Sequence, residues 1–214
     1  MTTSPSTSRM LTTLVAFLLA IGGWQLGEGL WIYAKARLAQ ELLQRAWTRT
    51  LAGETHAKPW PWADTWPMAR LTVPRLGIDQ IVLEGAYGRT LAFGPGHMES
   101  EQAIGEAGAV ILTGHRDTHF SFVRRLGRGD TLVIETVTGR SLRYRVTDTR
   151  VIDSRVAAAG IDTRMPMLTL VTCYPFDAVA AGGPLRYVVT AEPATVPVRG
   201  RDASADTESA ARPE

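Results

Sequence analysis

One cysteine, Cys173, closes the apolar run Thr169-Leu170-Val171-Thr172-Cys173. A histidine lies upstream in Leu112-Thr113-Gly114-His115-Arg116-Asp117, and Arg186 follows the cysteine by 13 residues in Gly183-Pro184-Leu185-Arg186-Tyr187. A lone thiol makes no internal disulfide. Free thiols ionise with a pKa of about 8.5, so only a few per cent is thiolate at neutral pH, yet that fraction attacks an acyl carbon readily. A neighbouring imidazole can protonate a leaving amine and later deprotonate an incoming one. A guanidinium, always charged and forked, can hold the oxyanion or the substrate backbone. Cysteine, histidine and arginine therefore suffice for acyl transfer through a thioester, without a metal.

Each residue also has a plainer reading. Buried free cysteine is common and inert. His115 follows a glycine where a loop begins, and Arg186 opens an alternating strand as a solvated charge. Together they weigh differently, because each stands at a strand end, where barrel rims carry function. His97 and His119 compete with His115; His119, four residues on, reaches the same rim if a helical turn follows. Asp117 either orients the imidazole or caps a helix starting near Ser121, and the cap is preferred.

The elements that must hold these residues read as strands over residues 68–191. Arg70-Leu71-Thr72-Val73 and Asp79-Gln80-Ile81-Val82-Leu83 flank a turn at Pro74 and Gly77. Ala109-Val110-Ile111-Leu112 and Thr131-Leu132-Val133-Ile134-Glu135 are short apolar runs. Ser141-Leu142-Arg143-Tyr144-Arg145-Val146-Thr147 alternates, as a half-buried strand does, and is entered through a Thr138-Gly139-Arg140 turn. Residues 167–172 and 186–190 complete the set. Short turns and brief helical gaps predict a mainly β fold, an antiparallel barrel or sandwich. About 125 residues are enough for one closed core.

Ahead of the strands, residues 1–9 are Thr/Ser-rich and expected to be disordered. Residues 10–33 are apolar apart from Glu28, and the uncharged run over 10–27 is 18 residues long, close to the roughly 20 that cross a bilayer. Trp24, Trp31 and Tyr33 gather at its far end, as interfacial aromatics do. An uncleaved transmembrane anchor is expected, in preference to a signal peptide cut near Ala34-Lys35-Ala36. Arg9 precedes the span while Lys35 and Arg37 follow it, so the charge count disfavours an exported domain; an outside placement rests on the chemistry alone. Over residues 34–67 we expect a helical stalk with Leu38, Leu42, Arg45 or Ala46, and Leu51 on one face, ended by Gly53. A Pro/Trp-rich linker over 58–67 follows, whose three prolines exclude helix and central strand. Its tryptophans pack on the domain, or else form a strap facing the membrane or a partner. Residues 192–214 turn to Pro, Ala and mixed charge, a disordered tail.

Composition narrows the classes further. A net charge of +2 is too weak for nucleic acid. One cysteine and four histidines give no zinc-ligand cluster, and no glycine-rich phosphate loop precedes a helix. No metal or cofactor and no nucleic-acid partner is expected.

These motifs resemble the sortases, cysteine transpeptidases that join surface proteins to an amine acceptor. Thr169-Leu170-Val171-Thr172-Cys173 fits the family's Thr-Leu-x-Thr-Cys motif at every fixed position. Gly114-His115-Arg116 fits the segment around its histidine, Arg186 falls where its arginine is expected, and Gly94-Pro95-Gly96-His97 looks like the approach to the histidine strand. The likeness covers about residues 71–190. Pro59-Trp60-Pro61-Trp62-Ala63-Asp64, with Cys173-Tyr174-Pro175-Phe176, looks like the Gram-negative, proteobacterial sortase group.

The resemblance implies an eight-stranded β-barrel, the catalytic domain over 68–191, behind an N-terminal transmembrane helix and with short helices. It implies a protein substrate with a C-terminal Leu-Pro-x-Thr-Gly-like sorting signal, cleaved between Thr and Gly, and an amine acceptor. Cys173 would be the nucleophile, His115 acid then base, Arg186 the group steadying substrate or oxyanion, and Thr172 and Leu170 substrate contacts. In the family the active form pairs thiolate with imidazolium. A single-pass protein of the cytoplasmic membrane with a periplasmic catalytic domain follows. Residues 154–166 would form the specificity loop; they lack an acidic cluster, so no calcium is expected.

Three rivals stand beside this. An L,D-transpeptidase places a Ser-x-Gly-Cys-type segment and a close arginine at its thiol, whereas Thr172 precedes Cys173 here and Tyr174-Pro175 follows. A hydrolytic cysteine peptidase shares the thioester and differs only in whether water or an amine resolves it. A non-catalytic, membrane-tethered β-barrel that binds a partner would keep Cys173 buried and closed to alkylation.

Overall fold

In the computed structural model, residues 5–98, 104, 108–156, 166–178 and 182–194 are described. Most of the expected specificity loop, residues 157–165, and most of the expected tail lie outside them.

Helix α1 runs unbroken over Pro5–Leu51. Its N-terminal part holds, among the described residues, the one stretch long and apolar enough to cross a bilayer, and none of that stretch is buried. Farther along, Ala39, Leu43, Ala46, Trp47 and Thr50 are buried, a helical stripe at i, i+4, i+7, i+8 and i+11. Leu43 and Trp47 pack with Ile81, Leu83 and Phe93. The stripe lies one residue away from the expected one: Leu38 and Leu51 are exposed, because Trp47 and Leu43 are the side chains that meet Ile81 and Leu83. The helix ends as its sequence suggests. Gly53, at φ +97, donates to the Thr50 carbonyl at 2.9 Å while Glu54 N–H reaches the Arg49 carbonyl at 3.0 Å. This paired closure needs the left-handed conformation that glycine tolerates.

Up to Trp66 the Pro/Trp segment is neither helix nor strand, as its prolines require, and its last residue, Pro67, opens the first strand. Ala57, Ala63 and Thr65 are buried, Thr65 Oγ1 donates to the Glu84 carbonyl at 2.7 Å, and Trp60 meets Phe93 edge-on at 4.9 Å. Trp62 does not pack; it is 82% exposed.

Eight strands follow: β1 Pro67–Val73, β2 Ile78–Glu84, β3 Gly96–His97, β4 Ala109–Thr113, β5 Thr131–Thr136, β6 Ser141–Asp153, β7 Met167–Cys173 and β8 Leu185–Pro193. They close into a barrel in the order β1-β2-β3-β4-β7-β8-β6-β5. The mainly β expectation holds, with one correction to the antiparallel reading. β2 pairs with β3, and β4 with β7, in parallel; the β5–β6 hairpin intervenes in sequence, so β7 returns alongside β4 in the same direction. Burial alternates along β1 and β5, and the inward residues, such as Leu71, Leu112, Ile134, Leu168, Leu170 and Val189, form one core. The only helix among the described residues after α1 is the four-residue α2, Gly88–Leu91, beside two 3₁₀ turns.

Candidate active site

Alternation decides where the thiol points. Leu168 and Leu170 on β7 and Val189 and Ala191 on β8 belong to the barrel core, so Cys173 and Arg186, of opposite parity, face outward. The two are direct partners across the antiparallel β7–β8 ladder, where opposed Cβ atoms stand about 5 Å apart. On its other edge β7 pairs with β4, Thr113 opposite Val171. Gly114 extends that pairing, its N–H donating to the Val171 carbonyl at 3.3 Å. Residue 115 follows directly, where the chain leaves the ladder into a turn closed by Phe120 N–H on the His115 carbonyl at 2.9 Å, next to the end of β7. Three adjacent strand ends thus bring His115, Cys173 and Arg186 to one side of the barrel mouth. The thiol is half-buried and unpaired; His115 is exposed.

Two local features hold this geometry. Thr172, 3% exposed, donates its hydroxyl to the Gly114 carbonyl at 2.7 Å, so the residue before the thiol is tied to the residue before the imidazole. Gly114 itself admits no side chain: a Cβ there would sit 2.7 Å from the Phe120 ring. Phe120 and Phe122, both buried, meet edge-on at 5.7 Å and anchor the segment after β4 in the core. That segment makes a 3₁₀ turn over Val123–Arg125 with no side-chain cap. The helix near Ser121 and its Asp117 cap are therefore not formed; Asp117 is exposed.

The rival histidines have other partners. His97 is 3% exposed and sits on β3, opposite Leu112, with Nδ1 3.9 Å from Glu84 Oε2. His119 is turned toward α2, its Nε2 3.4 Å from the Ala92 carbonyl oxygen, and its backbone carbonyl accepts from Gln80 Nε2 at 2.9 Å. Burial lowers the pKa of both rings; for His119 the Ala92 contact opposes that shift and the charge of His115 adds to it.

Leu170 and Thr172 are placed differently from the substrate contacts expected of them. Leu170 is fully buried in the barrel core, and the Thr172 hydroxyl is committed to Gly114. Arg186 donates from Nη1 to the Gly183 and Leu185 carbonyls at 2.6 and 2.9 Å, which sets the guanidinium over the start of β8. Two features escaped the sequence reading. Arg116 Nη2 reaches the Ala178 carbonyl at 2.7 Å, fastening the chain after the thiol to the segment after β4. Tyr187 stacks on Tyr174 at 6.3 Å and meets Phe176 edge-on at 5.2 Å, an aromatic wall whose Tyr187, on the inward parity of β8, packs against the barrel core. The wall was foreshadowed by Tyr187 lying across from Thr172, but a pairing register is needed to see it.

Known proteins resemble this chain. A family model described as the sortase domain matches residues 71–194. Sortase D of Bacillus subtilis is 30% identical over 120 residues, covering 56% of this chain and 60% of that protein, so the chain spans less than two thirds of that relative's length. Crystallised sortase C-1 of Actinomyces oris superposes with a TM-score of 0.53 and 25% identity, over 61% of this chain and 74% of that one. Listeria monocytogenes sortase A gives a TM-score of 0.51 and 26% identity, over 60% and 87% of the respective chains. Since the family model takes in every strand that carries the thiol, imidazole and guanidinium, and more than half of the chain, the protein belongs to the sortase family.

Proposed function

We propose that the chain is a membrane-anchored cysteine transpeptidase acting on proteins with a C-terminal Leu-Pro-x-Thr-Gly-like sorting signal. Cys173 Sγ attacks the Thr carbonyl carbon. The tetrahedral oxyanion is met by the Arg186 guanidinium, a planar, permanently charged donor set. As the C–N bond to Gly breaks, His115 gives its proton to the leaving amine, and a thioester remains on Cys173. An acceptor amine then loses a proton to His115 and attacks the thioester carbonyl, expelling the thiolate and forming the new amide. Water in place of the amine gives hydrolysis through the same thioester. No step requires a metal or cofactor.

The observation that carries this reading is the register: Cys173 opposite Arg186 on one edge of β7, and Thr113 opposite Val171 on the other. The apolar stretch of α1, wholly exposed, supports a single-pass anchor in the cytoplasmic membrane with the barrel on its outer, periplasmic side, where sorting-signal proteins would be met.

Mass spectrometry of the full chain in detergent micelles, incubated with a Leu-Pro-x-Thr-Gly peptide and a panel of amines, tests the assignment. The expected result is a covalent acyl adduct on Cys173, released as amide by an amine and as acid without one. Cys173→Ala abolishes the adduct and leaves the fold intact. An adduct surviving that change removes Cys173 as nucleophile; a folded wild-type chain whose thiol resists both peptide and alkylating reagent supports the binding-module alternative.

A further inference from the structure

A groove where α1 meets the barrel takes no part in this chemistry. It encloses about 410 Å³. Leu38 and Leu42 of α1 form one wall, Trp60 and Phe93 the other, and Trp62 stands over it. Leu38 is 59% exposed and Trp62 82%. Val156 elsewhere is as bare, at 81%, but Trp62 and Leu38 line one groove together with Leu42, Trp60 and Phe93, and apolar exposure gathered in one place points to a covering partner. Two cations edge the groove, Lys35 and Arg89, with Asp64 3.9 Å from the latter.

The helix fixes how far the groove lies from a bilayer. A hydrocarbon core of about 30 Å takes roughly 20 helical residues, so a span starting at Met10 leaves it near Leu30, and a headgroup layer of roughly 5–8 Å reaches on to about Lys35. The helix is unbroken through this region, and its buried stripe starts only at Ala39. The groove, opening at Lys35 and Leu38, is therefore the part of the domain that first meets the lipid surface.

We propose that this groove docks on the phospholipid headgroup layer of the leaflet that α1 leaves. Trp62 and Leu38 enter the interfacial zone, where an aromatic ring with one polar edge is favoured, and Lys35 and Arg89 pair with lipid phosphate. The site is continuous with the span, and its cations match an anionic surface. The consequence is orientation: a domain held at two places, by helix and by groove, cannot swing about α1, so the barrel mouth keeps a fixed attitude to the membrane. The inference rests on the membrane anchoring proposed above.

The test uses the full chain in vesicles of phosphatidylcholine and phosphatidylglycerol doped with a phospholipid carrying a photoactivatable group near its headgroup, with labelled peptides mapped by mass spectrometry. Label is expected on the apolar part of α1 and on segments 58–66 and 87–93. In Trp62→Ala/Arg89→Gln the groove label falls several-fold while the α1 label and the unfolding midpoint stay unchanged, both side chains being exposed. Label on α1 with none on the groove overturns the docking proposal and leaves the anchor standing. No label on α1 overturns the anchor itself. A groove shielded from lipid, with its peptides joined between two chains by an aqueous cross-linker, replaces the lipid by a second copy and also overturns the proposal.

Discussion

Valine in place of Thr172 keeps the side chain's shape and removes one donor. That donor is buried, and its 2.7 Å bond to the Gly114 carbonyl ties the strand bearing the thiol, β7, to the end of β4, where the chain bearing the imidazole begins. Loss of a buried partner costs about 1–3 kcal/mol, the desolvation of a carbonyl left short of a donor. The same strand supplies a control. Thr169 is 1% exposed, and its hydroxyl has no hydrogen-bond partner among the described residues. Exchanging that unpaired hydroxyl for a methyl group relieves a desolvation cost, so Thr169→Val is neutral or slightly stabilising. Urea unfolding of the full chain in micelles, followed by tryptophan fluorescence, reads both: the midpoint falls for Thr172→Val with an unchanged slope, and holds or rises for Thr169→Val. Activity separates further. A shift of about 1 Å between reacting groups costs on the order of a hundredfold, so peptide turnover by Thr172→Val drops between about tenfold and a hundredfold under conditions where it is fully folded. Equal stability losses for the two valines would mean that volume, not the bond, sets the cost. A Thr172→Val chain of full activity would mean that the thiol and imidazole are positioned by something else.

Two further outcomes are expected. Arg186→Lys retains the charge but loses the planar fork, so turnover falls strongly with little change in unfolding midpoint; near-normal turnover would reduce Arg186 to a structural residue. His97 is held below its ordinary pKa by burial, so the unfolded chain binds the extra proton first: its contribution is complete above about pH 6.5 and is lost as pH falls through the window below. Comparing urea midpoints across that window, His97→Gln is expected to show a flatter acid-side decline than wild type. A steeper decline in the variant would show that the Glu84 carboxylate, 3.9 Å away, stabilises the protonated ring more than burial opposes it.

What could be read from the chain depended on how local the determining contact is. The strand runs were legible because alternation is written within five or six residues, and the cysteine, histidine and arginine stood out because their chemistry depends on type. The parallel β4–β7 pair was not legible, since it joins segments more than fifty residues apart with a hairpin between them. Two-residue β3 is too short for any period to register. The buried face of α1 missed by one position because Leu38, Leu42 and Leu51 offer as regular a stripe as Leu43 and Trp47; only the presence of Ile81 and Leu83 opposite breaks the tie.

The motif around the thiol shows the same limit in its smallest form. As a string, Thr169-Leu170-Val171-Thr172-Cys173 invites the inference that neighbours of a nucleophile touch what it touches. A strand divides that string between two faces. Leu170 goes to the core, and Thr172, on the same inward parity, spends its hydroxyl on the backbone beside the histidine. Cys173 alone at that end is left facing outward, opposite Arg186. A motif that looks like a binding surface thus divides into the proposed nucleophile, one core residue and one residue tied to the Gly114 carbonyl. Substitutions at Leu170 or Thr172 should then register in stability and in the alignment of the reacting groups, and substrate selectivity should be sought in outward-facing side chains on either side of the thiol.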